Sequence, residues 1–105
     1  MIFITGPLYS GKRTFANALP GTRIAEVQNL AKDAGDLEQL ADKLAAYDIV
    51  IATEVGGGVV PVDAGERAAR EAAGRLACLL ASRAQCVVQM FCGIPTILKG
   101  ELPPC

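Results

Sequence analysis

The feature that constrains this chain most is its opening. Met1-Ile2-Phe3-Ile4-Thr5 is a short apolar run that breaks at Gly6 into a loop closed by Gly11-Lys12. A run of that length, bounded by glycine, suits a strand buried on both faces of a parallel sheet. Parallel neighbours need long crossovers, so the remaining residues must supply helices to cover the sheet. With 105 residues in all, the sequence has room for one domain and predicts no second.

The rest of the chain alternates accordingly. Lys12–Leu19 reads as a short helix stopped by Pro20-Gly21, and Thr22–Val27 as a strand. Asn29–Gly35 leaves a helical turn and a loop both open. Asp36 caps a helix running to Ala46, with Gln39 at the capping-box spacing and Leu37, Leu40, Ala41 and Leu44 on one side. Asp48–Thr53 is rich in β-branched residues and reads as a strand that runs into Glu54 and the glycines at 56–58. Asp63, with Glu66 three residues on, opens the longest helix, which extends to Ala84 with Leu76, Leu79 and Leu80 inside. Cys86–Cys92 is a further buried strand. Gly93 and Pro95 are expected to end it, with Thr96–Leu98 as a short extension. Strand and helix in alternation predict an α/β fold: a small, mainly parallel sheet flanked by helices.

Composition narrows the functional classes. Ten basic and eleven acidic residues give a net charge of −1, which disfavours a nucleic-acid binder. No apolar run is long enough to span a membrane. The N-terminal segment lacks the basic start and small-residue cleavage site of a signal peptide, so a cytoplasmic protein is expected. Histidine is absent, which removes every histidine-dependent chemistry. The cysteines, at 78, 86, 92 and 105, have no metal-site spacing. The expectation is four reduced thiols, three of them acting as small apolar residues. With no tryptophan and 5% aromatics, the core is made of small side chains. A short chain with so modest a core is expected to form a homo-oligomer.

The chemistry is concentrated in the opening loop. Gly6-Pro7-Leu8-Tyr9-Ser10-Gly11-Lys12 has the spacing of a phosphate-binding loop, between a strand and a helix as that motif requires. The glycines permit a backbone path that turns successive N–H groups inward, and Lys12 adds a full positive charge. Such a loop takes the phosphates of ATP or GTP, and nothing in the sequence reads the base. Arg13 stands where the motif has the Ser or Thr that ligates Mg²⁺. A guanidinium cannot ligate a metal, and Thr14 lies about 100° further round the helix, so use of Mg²⁺ is in doubt. Arg13 can instead pair with a phosphate directly. The competing reading is a glycine turn followed by an exposed basic helix start.

Glu54 follows the carboxyl end of a strand, where ligands of open α/β sheets bind. It could hold a hydrated cation or accept a proton from an attacking hydroxyl; it could also be a solvated turn carboxylate. On the long helix, Arg67 and Arg70 share a stripe with Gly74 and Cys78. The i,i+4 pairs Glu66–Arg70, Arg67–Glu71 and Glu71–Arg75 suit a solvated face equally well.

Three stretches together resemble the cobinamide kinase/cobinamide-phosphate guanylyltransferase family of cobalamin biosynthesis. They are Ile4-Thr5-Gly6 through Ser10-Gly11-Lys12, then Glu54-Val55-Gly56-Gly57-Gly58-Val59-Val60-Pro61 followed by Arg67, Arg70, Glu71 and Gly74, and last Gly93-Ile94-Pro95 with Lys99. The resemblance implies a P-loop NTPase-like fold and phosphorylation of the aminopropanol hydroxyl of adenosylcobinamide by a nucleoside triphosphate. In the family a guanylylated histidine then transfers GMP, and members assemble as trimers with sites near subunit interfaces. Gly6, Ser10, Gly11 and Lys12 match the family's nucleotide loop, and Glu54, Arg67 and Arg70 match motif positions lining the same region.

The departures lie in the same places. The family's central segment, with its histidine and its Asp-containing Walker B-like strand, has no counterpart, so the guanylyl-transfer route is not expected. Thr53 replaces the asparagine before the glutamate, Ala77-Cys78 replaces an Asn-Gln pair, and Arg13 replaces the hydroxyl residue. Two functions stay open: a reduced kinase with Lys12 and Glu54 as its chemical groups, and a non-catalytic accessory protein that binds a nucleotide or corrinoid.

Overall fold

The structure is a computed structural model that describes residues 1–7, 11–31, 35–53 and 64–101, without the side chains of Arg13, Ala64 and Glu66. Its strands are β1 (Ile2–Gly6), β2 (Arg23–Ile24), β3 (Ile49–Thr53), β4 (Cys86–Phe91) and β5 (Ile94–Lys99). Its helices are α1 (Lys12–Asn17), α2 (Gln28–Ala31), α3 (Leu37–Leu44) and α4 (Ala64–Arg83). One sheet has the order β2-β3-β1-β4-β5. The opening run thus becomes the central strand, parallel to β3 on one side and to β4 on the other. The expected α/β class, with a mainly parallel sheet between helices, is what the chain forms.

Side-chain alternation along the strands divides the core in two. Phe3, Val50, Ala52 and Val87 face one way, onto Ala73, Leu76 and Leu80 of α4 and Ala41 and Leu44 of α3. Ile4, Ile49, Ile51, Val88 and Met90 face the other way, onto Ala16 and Leu19. Each strand flanking the centre is therefore apolar on both faces, which explains the unbroken runs. Asp36 caps α3 as its position predicts: its carboxylate accepts from the backbone N–H of Glu38 at 2.9 Å and of Gln39 at 3.4 Å. Arg83, in the last turn of α4, ties that helix to α3 through Asp42 at 2.8 Å.

Several sequence expectations need correction. The strand expected over Thr22–Val27 is only Arg23–Ile24, because the backbone leaves the sheet and turns at Glu26, whose φ is 58°. Of the segment left open, Asn29–Gly35, the first three residues lie in the helical turn Gln28–Ala31, and residues 32–34 lie outside the described residues. Pro95 does not end a strand. The chain reverses at Cys92 and Gly93, with φ of 50° and 76°, and β5 returns antiparallel to β4. Positive φ at both central residues is what a tight hairpin turn needs. Pro95 is tolerated because β5 is an edge strand. Of the described cysteines, only Cys86 is a buried apolar filler, while Cys78 and Cys92 are exposed. The cap expected at Asp63 lies outside the described residues, as does Cys105.

Candidate functional site

The parallel register sets the site. Gly6 pairs with Thr53, so the chain leaves β1 and β3 at the same level, side by side. The loop after Gly6 and the segment that begins with Glu54 therefore start from neighbouring points at the carboxyl ends of the strands. Open α/β sheets bind ligands there. Helix α4 begins after the β3 connection and ends before β4, so its first half, with Arg67 and Arg70, lies towards this end.

Within the loop, Gly6 is buried and Pro7 half-buried. Gly11 precedes α1 with φ 88° and ψ 14°, a left-handed conformation that suits glycine. Among the described residues, no side chain caps α1. Lys12 is 5% exposed, and its Nζ donates to the carbonyl of Pro7 at 2.7 Å. The amine is thus folded back over the entry to the loop, with its charge held inside. Thr14 is exposed on α1. Arg67 is exposed and Arg70 half-buried, and next to them Arg75 pairs with Glu71 at 2.8 Å. Of the anticipated helix pairs, this one is formed between described side chains. Leu8, Tyr9, Ser10 and Glu54, the glycines at 56–58 and the side chain of Arg13 lie outside the described residues.

The structure adds a polar network that the sequence did not reveal. The carboxylate of Glu26 accepts from the Thr53 hydroxyl, at 3.1 Å to Oε1 and 3.2 Å to Oε2. Gln28 Nε2 donates to Glu26 Oε2 at 2.5 Å, and Gln28 Oε1 accepts from the Thr53 backbone N–H at 3.0 Å. Together these bonds fasten the turn after β2 to the last residue of β3. Glu26 adopts positive φ to reach Thr53, a conformation that costs about 1 kcal/mol or more for a residue with a Cβ. Nothing local in Ala25-Glu26-Val27 signals such a conformation.

Below this network lies a cavity of about 110 Å³. It runs from the ends of β1 and β3, at Thr5 and Thr53, to Gln28 of α2 and to Ala73, Gly74 and Ala77 of α4. A Cβ built on Gly74 would meet nothing within 4 Å.

These features define an α/β protein whose glycine-bearing loop, buried lysine and polar network gather at the carboxyl ends of a mainly parallel sheet. The model of the family described as cobinamide kinase / cobinamide phosphate guanyltransferase matches residues 22–98, and the chain belongs to that family. Membership brings a cobinamide-related, nucleotide-binding function within cobalamin biosynthesis. The matched span opens at Thr22, so the reading of the loop at 6–12 rests on its own spacing and on Lys12. A search of curated proteins gives no match. Among the described residues, no helix is long and apolar enough to cross a membrane.

Proposed function

We propose that this chain is a single nucleotide-binding domain that takes a nucleoside triphosphate, ATP or GTP, on the loop from Gly6 to Thr14. In this reading it passes the terminal phosphoryl group to the aminopropanol hydroxyl of adenosylcobinamide. Guanylyl transfer through histidine does not follow, because the chain has no histidine. The observation that carries the reading is the buried Lys12 amine, which reaches from the start of α1 to the Pro7 carbonyl at the loop entry, just after the central strand. A buried ammonium bound to a carbonyl at the loop entry is poised to exchange it for a phosphate oxygen, a stronger charge-assisted partner.

Roles follow from charge and position. Backbone N–H groups of the loop, with Lys12, hold the phosphates. Lys12 and Arg13 offset the charge that spreads over the transferred oxygens, with Arg67 and Arg70 as further cations on α4. Phosphoryl transfer depends mainly on such positioning and neutralisation. Glu54 accepts the proton of the attacking hydroxyl. Arg13 supplies no Mg²⁺ ligand where the motif has a hydroxyl, and Glu54 is the residue that would hold a hydrated Mg²⁺. The same replacement at Arg13 favours a second reading, an accessory protein that binds the nucleotide without turning it over. We also propose a homo-oligomer.

The test is thermal stability with ATP, GTP and GDP, with and without chelator, followed by labelled phosphate transfer to adenosylcobinamide. A ligand at a hundredfold excess over its Kd adds about 2.7 kcal/mol to stability. Phosphate transfer lost in Lys12→Ala supports the kinase. Binding that persists in chelator without transfer supports the accessory protein. No stabilisation by any nucleotide overturns both.

A further inference from the structure

The cavity beneath the Thr53 network has a composition that selects a guest. Its body is apolar, formed by Val27, Ala73, Leu76 and Ala77. Its polar edge is Thr53 and Gln28, with Thr5 at the end of β1. A dry cavity of about 150 Å³ holds benzene. One of about 110 Å³ therefore suits a guest of about four or five heavy atoms.

Hydrogen-bond accounting fixes the polar end of that guest. The Thr53 hydroxyl spends its only proton on Glu26, so towards a guest it can only accept. Gln28 Oε1 takes one proton from the Thr53 N–H and keeps a second lone pair. The amide cannot be turned over without setting its NH₂ against the Thr53 N–H and its oxygen against the Glu26 carboxylate. Gln28 Nε2 also keeps one hydrogen after serving Glu26. The edge thus offers acceptors with one donor beside them, which a hydroxyl complements at both its proton and its lone pairs.

We propose that this cavity binds a compact aliphatic group of about four or five heavy atoms carrying a hydroxyl, which hydrogen-bonds to Thr53 and Gln28. Thr5, on its wall, is two residues from Pro7, whose carbonyl holds Lys12. The cavity thus lies on the α4 side of the strand that leads into the phosphate loop; its role as the acceptor end rests on the function proposed above, while its binding of an alcohol does not.

The probe is 2-butanol, titrated into the full chain and followed by the methyl resonances of Val27, Ala73, Leu76 and Ala77, with xenon as the apolar counterpart. The expected result is saturable shifts confined to those methyls. Gly74→Leu, which fills the open space at that position, should weaken 2-butanol and xenon alike by about tenfold or more. Thr53→Val should weaken 2-butanol by about tenfold and leave xenon unchanged. Should that variant fail to fold, Gln28→Met carries the same expectation. Shifts that do not saturate, or equal affinity for 2-butanol in the hydroxyl-deleted and parent chains, overturn the proposal. Absence of nucleotide stabilisation while 2-butanol still binds would remove the proposed function and leave this site standing.

Discussion

Gly11 and Gly93 touch across the molecule: a Cβ on Gly11 would lie 3.3 Å from the Cα of Gly93. The end of the opening loop is thereby seated against the turn between β4 and β5. The contact joins residues far apart in sequence, and it exists because β4 lies beside β1. The hairpin, which a sequence reading treats as a strand end, in fact packs against the residue that closes the loop.

Gly11→Ala tests that contact. The substitution meets two costs, a left-handed φ of 88° and the close approach to Gly93 backbone. Left-handed backbone alone costs about 1–2 kcal/mol for a residue with a Cβ. Denaturant unfolding should show a loss of at least that size, with the m-value unchanged. Any nucleotide-induced stabilisation should fall as well, because the loop is anchored at this point.

Lys12→Met separates burial from charge. Methionine keeps much of the aliphatic stem and removes the ammonium held by the Pro7 carbonyl at 2.7 Å. Folding should survive the change, since replacing a buried charge with a well-packed apolar group is often neutral. Stabilisation by ATP or GTP should be lost. Calorimetry and thermal scans on the same sample give both answers.

Thr53→Val examines the turn at Glu26. The variant is close to threonine in shape and deletes the hydroxyl that donates to both carboxylate oxygens. A hydrogen bond to a charged acceptor is worth about 1.5–3 kcal/mol, and the loss should appear in urea unfolding. Glu26→Gln keeps an acceptor for Thr53, so it should cost less. Hydrogen exchange should show the Val27 amide, which donates to Ile51 at 3.3 Å, opening sooner in Thr53→Val.

Much of this architecture was legible because it is written locally. Uninterrupted apolar runs became strands buried on both faces, and Asp36 caps a helix from the position its side chain suggests. The loop glycines and Lys12 were also legible, because the motif fixes their spacing. What stayed hidden depends on chain segments distant in sequence. Glu26 is held by Thr53, and its positive φ follows from that bond and from no residue beside it. Cys92 reads as the end of an apolar strand, yet it lies in the turn and its side chain is exposed. Pro95 reads as a terminator because a proline cannot donate to a ladder, but an edge strand has no neighbour waiting on one side.

Gly74→Ala should stabilise the protein. Gly74 lies inside the 20 residues of α4, where glycine gives no steric benefit, since a Cβ there meets nothing within 4 Å. Glycine within a helix is less favourable than alanine by about 0.5–1 kcal/mol, largely because its unfolded state is freer. For a domain of this size each kcal/mol moves Tm by about 4–8 °C, so a rise of a few degrees is expected. A methyl group added at this point narrows the cavity without filling it. Stability should therefore rise in Gly74→Ala while 2-butanol binding is weakened less than in Gly74→Leu.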